Sequence, residues 1–201
     1  MKVGALRRIG SYLLDIIPIF AVLSLLFTFF VGELLEPEGY DDLMVEYREI
    51  TTDYNDQVLP FYEQFENGEL TQDEYQDAIS DYTDQYLIDS DEHVKAMILY
   101  FRSALIYYIT AFTLVYYAYS VITKGHTLGR KMLKIELQGK VNWWTLLLRE
   151  VIWKSGYYML TLLIGGILID VLMISFSSNK KAPRDYVTKI TVKYEGADYP
   201  F

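Results

Sequence analysis

Three long apolar runs dominate the pattern of hydrophobic and polar positions along the chain. They cover residues 9–31, 96–123 and 155–179, and each contains a single charged side chain, namely Asp15, Arg102 and Asp170. A helix needs about 20 mostly apolar residues to cross roughly 30 Å of hydrocarbon. The pattern therefore predicts a multi-pass protein of the cell membrane. The first run is too long for a signal peptide and is followed by no small-residue cleavage pattern, so we expect an uncleaved anchor.

Two short segments alternate apolar and polar side chains instead, which is typical of β-strands. The alternating apolar positions are Leu133, Ile135 and Leu137 in the first segment and Ile190, Val192 and Tyr194 in the second. Two isolated amphipathic strands are marginally stable unless they find a partner. We therefore expect them to pair with each other, which requires both to lie on the same side of the membrane.

Charge is divided sharply along the chain. Residues 32–92 contain 20 of the 27 acidic residues and one basic residue, Arg48, so this segment carries −19 and the remainder carries +10. Lysine and arginine gather before the first run and after the second, and such clusters mark cytoplasmic loops. This orientation places the acidic segment outside the cell, as an insert between the first two membrane helices.

The third apolar run leaves two topologies open. If the two strands pair in the cytoplasm, residues 141–179 must enter and leave the membrane by the same face. They would then form a helical hairpin or re-entrant element, broken at Ser155-Gly156 or at Gly165-Gly166. The alternative is an interfacial helix at 143–154 followed by one full span.

The predicted fold is an all-α membrane protein. It consists of a bundle of three to four membrane helices, an extracytoplasmic helical hairpin insert and a small cytoplasmic β pair. The predicted segments are a first membrane helix (1–32), the acidic insert (33–95), a second membrane helix (96–123), a cytoplasmic basic loop and strand (124–142), an interfacial or re-entrant element with a membrane helix (143–179), and a cytoplasmic tail with a strand (180–201).

The insert has the pattern of two polar helices. Asn67-Gly68 marks the turn, and Thr71 with Glu74 forms a capping box that starts the second helix. The apolar positions at helical spacing that would join the two arms are Leu43, Tyr47, Ile50, Tyr54 and Val58 in the first and Tyr75, Ile79, Tyr82 and Tyr86 in the second. A solvated helical surface explains the acids most simply. Binding of a protein partner or of cations is the alternative, although no EF-hand spacing is present.

Charged residues inside apolar runs are the candidate functional residues, because an ionisable group in hydrocarbon is costly unless it is paired or hydrated. Arg8 and Asp15 are seven residues apart and lie on one helix face. We expect Asp15 to pair with a base from the cytoplasmic loop, with Arg130, Lys131 and Arg149 as the choices. Such pairing would hold the bundle in register, and a proton- or ion-handling site is the alternative. Asp170 carries a similar cost.

The loop at 124–131 is basic and flanked by glycines. We expect Thr127, Gly129, Arg130 and Lys131, together with Arg149, to face the bilayer and its anionic headgroups. The loop does not match a P-loop. His126 has no second histidine nearby, and the chain contains no cysteine, so we expect no metal site and no disulfide.

Three stretches resemble the RDD family of bacterial membrane proteins. They are residues 8–15 (RIGSYLLD), residues 125–131 (GHTLGRK) with the later Leu148-Arg149, and residues 184–190 (RDYVTKI). The resemblance covers residues 5–31 and 97–195 and leaves the acidic insert outside. It departs from the family pattern at His126, where glutamine is frequent, and at Arg130, where lysine is common.

The resemblance implies that Arg8, Asp15 and Asp185 form the family's signature set, with Asp185 at the cytoplasmic surface near Arg8. It also implies transport, since cation–proton antiport has been attributed to some members.

Two functions follow as hypotheses. The first is a small transporter or cation–proton antiporter subunit, working as a homo-oligomer because three or four spans rarely enclose a pathway alone. The second is a membrane-anchored interaction or assembly protein that uses the acidic outer hairpin. The sequence contains no nucleophile elbow and no dinucleotide fingerprint, so we expect no enzyme, no catalytic residues, no cofactor and no nucleic-acid partner.

Overall fold

The computed structural model describes residues 3–157, 164–176 and 178–196, with side chains described outside 154–167. Helix α1 (Ala5–Leu26) continues through a π-helical turn (Phe27–Val31) into α2 (Gly32–Leu35). The elements that follow are α3 (Tyr40–Glu66), α4 (Gln72–Ile122), α5 (Leu128–Met132), β1 (Ile135–Gln138), α6 (Trp143–Leu146), a second π-helical segment (Leu147–Tyr157), α7 (Ile164–Phe176), α8 (Pro183–Thr188) and β2 (Thr191–Tyr194).

The chain divides into two units. The first, here the membrane unit, comprises Met1–Phe29 and Ile106–Phe201, and the second, here the hairpin unit, comprises Phe30–Leu105. The protein is mostly helical, with one small antiparallel sheet among the described residues.

Two helices in the described part of the chain are long and apolar enough to cross a membrane. They are the continuous helix Ala5–Leu35, of 31 residues, and α4, of 51 residues. A core helix of a soluble protein would bury its apolar surface. Here the most apolar stretches of the two helices are 11% and 0% buried, so their side chains are available to contact lipid.

The predicted β pair is present. β1 and β2 are antiparallel, with Ile135 opposite Tyr194 and Leu137 opposite Val192. The apolar face of the pair forms a buried core with Val3, Leu146 and Ile190. Leu133 and Ile190 lie just before the strands and continue the alternation. The pairing thus brings two segments more than 50 residues apart in sequence into one sheet.

The third apolar run differs from the prediction in its break points. Ser155-Gly156 lies within the π-helical segment Leu147–Tyr157, and Gly165-Gly166 lies within α7, so neither pair interrupts a helix. Glycine permits a break but does not require one when the flanking residues are good helix formers. A break at 158–163 lies outside the described residues. Helix α7, of 13 residues, is about 20 Å long at 1.5 Å per residue.

The hairpin unit contains the predicted pair of arms. The Thr71–Glu74 capping box is present, with the Thr71 amide donating to Glu74 Oε2 at 2.9 Å and the Glu74 amide donating to Thr71 Oγ1 at 3.4 Å. The arms meet through tyrosines: the hydroxyls of Tyr47 and Tyr86 are 3.0 Å apart, and the rings of Tyr54 and Tyr86 are 4.6 Å apart between centroids. The predicted apolar stripes therefore do join the arms.

Candidate functional site

The centre of the membrane unit is a carboxylate shared by two arginines. Asp185 lies in the first turn of α8, where its Oδ2 accepts from the Ala182 amide at 3.1 Å, which is a helix-capping bond. Arg8 Nη1 lies 2.6 Å from Asp185 Oδ2, and Arg149 Nη1 lies 2.6 Å from Asp185 Oδ1. Asp185 is 0% exposed, so both pairs are shielded from water. One acid therefore ties α1 and the π-helical segment to α8.

The charge of Asp185 is favoured by these neighbours. Burial by itself raises the pKa of the Asp185 carboxyl, but the guanidiniums of Arg149 and Arg8 outweigh burial and hold the pKa below its ordinary value of 3.8. The carboxylate is thus ionised at neutral pH. Arg8 also donates to the carbonyl oxygens of Val3 and Lys180, at 3.2 and 2.5 Å, which fixes its position.

A third buried pair joins α5 to the π-helical segment. Arg130 Nη2 lies 2.8 Å from Glu150 Oε1, and Arg130 Nη1 donates to the Gly125 carbonyl at 2.7 Å. Gly125 adopts φ +80°, which glycine tolerates best, so the loop can turn its carbonyl toward Arg130. Arg130 is 7% exposed, and the expectation that it faces the bilayer is wrong, because its guanidinium pairs inward with Glu150.

Asp15 is held by neutral donors. Its carboxylate accepts from the Thr127 hydroxyl at 2.6 Å and from the Gly129 amide at 2.8 Å, and it is 2% exposed. The expected pairing with Arg130, Lys131 or Arg149 is therefore wrong, since these two donors satisfy the carboxylate. Thr127, Gly129 and Arg149 are buried as well, so the prediction that they face the bilayer also fails.

The contact between α1 and the loop depends on Gly129. A β-carbon at this position would lie 1.9 Å from the Ser11 carbonyl oxygen, which no side chain could tolerate without backbone movement. The close approach brings the Gly129 amide within reach of Asp15. Glycine here is a requirement of packing.

A fourth ion pair lies between α7 and α8. Arg184 Nη1 is 2.8 Å from Asp170 Oδ2, so the predicted cost of Asp170 in an apolar run is offset by a base. Lys131, in contrast, is exposed and is not part of these contacts among the described residues. The predicted acids therefore all make buried polar contacts, and so do the predicted bases other than Lys131. The acids are Asp15, Asp170 and Asp185, and the bases are Arg8, Arg130 and Arg149.

Two cavities lie within this network. The arginine cavity, of about 230 Å³, is lined by Arg8, Arg130, Arg149, Arg184 and Asp170 together with apolar side chains. The aspartate cavity, of about 200 Å³, is lined by Asp15, Tyr119 and apolar residues that include Pro18. The described residues contain no cluster of three or more side chains able to hold a metal ion.

A family model described as the RDD family matches residues 2–189. The chain belongs to the RDD family. The matched range runs across the acidic segment and ends before β2. Neither a curated protein nor a solved structure matches the chain.

The stretches that resemble the RDD pattern meet in the structure. Residues 8–15 contact residues 184–190 through Arg8 and Asp185, and they contact residues 125–131 through Asp15 and Thr127. The predicted signature set is thus organised around α1, whose Arg8 and Asp15 side chains bind different partners.

Two members of the network were not predicted. Glu150 follows Arg149 directly, and Arg184 precedes Asp185, so each stood beside a residue already chosen. The cost of a charge in an apolar segment applies equally to Glu150, which lies in the apolar stretch after Trp143. That rule could have identified it. Arg184 lies outside the apolar runs, so the same rule does not single it out, and the structure reveals its contact with Asp170.

Proposed function

We propose that this RDD protein is a multi-pass protein of the cell membrane that works as a small transporter subunit, with Asp15 as the group that takes up a proton or a cation. The observation that carries the proposal is the environment of Asp15. A buried carboxylate held by a hydroxyl and an amide can exchange its charge without breaking an ion pair. The other buried acids of the network with described partners are bound to arginines.

The aspartate cavity supports this assignment. Asp15 is the charged residue among the described side chains that line it, and apolar side chains from α1, α4 and α5 make up most of the rest. An acid inside an apolar membrane segment is a frequent mark of a proton or ion pathway. Tyr119 adds a hydroxyl that accepts from the Leu128 amide at 2.5 Å.

The β pair supports a topology with both chain ends in the cytoplasm. β1 precedes the third apolar run and β2 follows it, so a chain that forms this sheet returns to the face it left. The basic residues near both strands favour the cytoplasmic face. With so few spans, a complete pathway requires a homo-oligomer.

The test is cation–proton exchange in proteoliposomes, comparing the wild type with Asp15→Asn. Asparagine keeps the shape and can still accept one of the two hydrogen bonds, but it cannot ionise. We expect Asp15→Asn to abolish most of the exchange and the surface control Asp77→Asn to leave it unchanged. Equal exchange by the wild type and Asp15→Asn would remove the carboxylate from the mechanism.

A second function is favoured by the surface of the hairpin unit. Its acidic arms leave large apolar side chains exposed, with Leu59 52% and Ile88 70% exposed. Such side chains on an otherwise charged surface suit a protein partner. We test this role by deleting residues 41–89 and repeating the exchange assay. Retained exchange would assign the insert to a task other than transport, and lost exchange would argue against a separate role.

A further inference from the structure

The arginine cavity has a lining that suits an anion. Its lining is mostly apolar and includes four arginines from four different elements: Arg8 from α1, Arg130 from α5, Arg149 from the π-helical segment and Arg184 from α8. Asp170 is the acid among its described lining residues. The carboxylates of Asp185 and Glu150 pair with these arginines but are not among the lining residues. With those two carboxylates and Asp170 counted, the four arginines keep one net positive charge.

We infer that the arginine cavity binds a phosphate-type oxyanion, either free phosphate or the phosphate of a lipid headgroup. A planar guanidinium offers paired N–H donors that match the oxygen spacing of phosphate. Three carboxylates offset most of the repulsion among the four guanidiniums, and an anion in the cavity would offset the positive charge that is left.

The donor inventory supports a ligand. Each guanidinium has five N–H donors. Arg149 uses Nη1 on Asp185, while its buried Nε has no hydrogen-bond partner among the described residues and lies 3.6 Å from Glu150 Oε1. A buried donor without a partner is costly, and a bound oxyanion is one way to satisfy it.

The size of the cavity limits the ligand. Pockets for drug-sized molecules occupy roughly 300–1,000 Å³. At about 230 Å³ the arginine cavity accommodates a smaller group, and a phosphate with a few water molecules fits this space. The inference concerns binding and does not depend on transport.

The test is isothermal titration of the purified full-length protein in an uncharged detergent, with inorganic phosphate and with short-chain phosphatidic acid as probes. We expect saturable binding of at least one probe. Binding of inorganic phosphate identifies a free anion as the ligand, and binding of phosphatidic acid alone identifies a lipid headgroup. Failure of both probes to bind would overturn the inference.

Two variants that remove opposite charges from the lining test whether binding is specific to this cavity. Arg184→Gln removes one lining donor and should weaken binding by about tenfold or more, in keeping with hydrogen bonds to charged groups. Asp170→Asn removes the acid of the lining and should strengthen binding. The matched control is Arg7→Gln, which removes the same charge from an exposed arginine outside the cavity. Wild-type affinity in Arg184→Gln, or weaker binding in Asp170→Asn, would contradict the assignment.

Two further measurements separate the possible failures. Thermal unfolding of each variant shows whether it is folded. If Arg184→Gln does not fold, Arg184→Lys takes its place in the titration. This variant keeps the charge but loses the planar fork, and it should bind more weakly than the wild type. Anion binding is measured without a membrane, whereas the Asp15 proposal is measured by exchange. Either can therefore fail while the other stands.

Discussion

Asp185→Asn is the substitution that tests the buried network most severely. Asparagine is nearly isosteric and its Oδ1 can still accept from the Ala182 amide, so the helix cap is preserved. The charge, however, disappears from between Arg8 and Arg149, each 2.6 Å away. Both guanidiniums would then remain buried without their counter-charge.

The expected cost follows from the burial of both pairs. Removing one partner of a buried ion pair costs about 3–5 kcal/mol, because the remaining charge is uncompensated. For a chain of this size, each kcal/mol lowers the melting temperature by about 2–4 °C. We therefore expect Asp185→Asn to melt roughly 6–20 °C below the wild type, measured by thermal unfolding in detergent.

The control is Asp91→Asn, which breaks the exposed pair between Asp91 and Lys95. Exposed pairs contribute about 0–1 kcal/mol, so this variant should melt close to the wild type. A double-mutant cycle with Arg8→Gln should show coupling of about 0.5–3 kcal/mol, because the two residues are in contact. If Asp185→Asn melts at the same temperature as Asp91→Asn and the wild type, the buried network does not stabilise the fold.

Three further predictions concern pH, packing and the hairpin. Because the pKa of Asp185 is lower in the folded protein than its ordinary value of 3.8, its contribution is present above about pH 4 and is lost as the pH falls through the lowered value, so the melting temperature should drop in acid for the wild type and less so for Asp185→Asn. Gly129→Ala should destabilise the protein by at least about 1–3 kcal/mol in thermal unfolding, owing to the clash with Ser11, whereas Gly4→Ala, with no atom within 4 Å, should not. Tyr47→Phe should cost about 0.5–1.5 kcal/mol through the lost bond to Tyr86, and no loss in denaturant unfolding would contradict the tyrosine contact.

The β pair and the hairpin arms could be predicted because each depends on periodicity. Alternation at Ile135 and Leu137 implied a strand whose apolar face needed cover, and Val192 lay in the other segment with the same pattern. In the hairpin, Tyr47 and Tyr86 fall on stripes of helical spacing, and the structure brings them together. Periodicity of this kind depends only on residues close together in the sequence, so it can be recognised without knowing the tertiary structure.

The partners of the buried charges could not be predicted in the same way. Electrostatics requires Asp15 to have a partner but does not distinguish an arginine from a hydroxyl and an amide. The choice depends on Gly129, whose lack of a side chain lets the loop approach α1 closely enough to present its amide. Arg130 was assigned to headgroups because it lies in a basic loop, yet Glu150, 20 residues later, turns it inward.

The break points in the third run failed for a related reason. Ser155-Gly156 and Gly165-Gly166 are small residues that permit a turn, and the structure continues helix through both. Small residues show where a helix can be interrupted, but whether it is interrupted there depends on the packing around it.

The pairing of β1 with β2 is tested most directly by the side of the membrane on which each strand lies. The chain contains no cysteine, so single cysteines can be introduced at Lys140 after β1, at Glu195 after β2 and at Asp77 in the hairpin unit. With a membrane-impermeant maleimide, Asp77→Cys should be labelled on intact cells, and Lys140→Cys and Glu195→Cys only after permeabilisation. Labelling of Glu195→Cys on intact cells, with Lys140→Cys protected, would separate the two strands and contradict the pairing on which the Arg8–Asp185 contact depends.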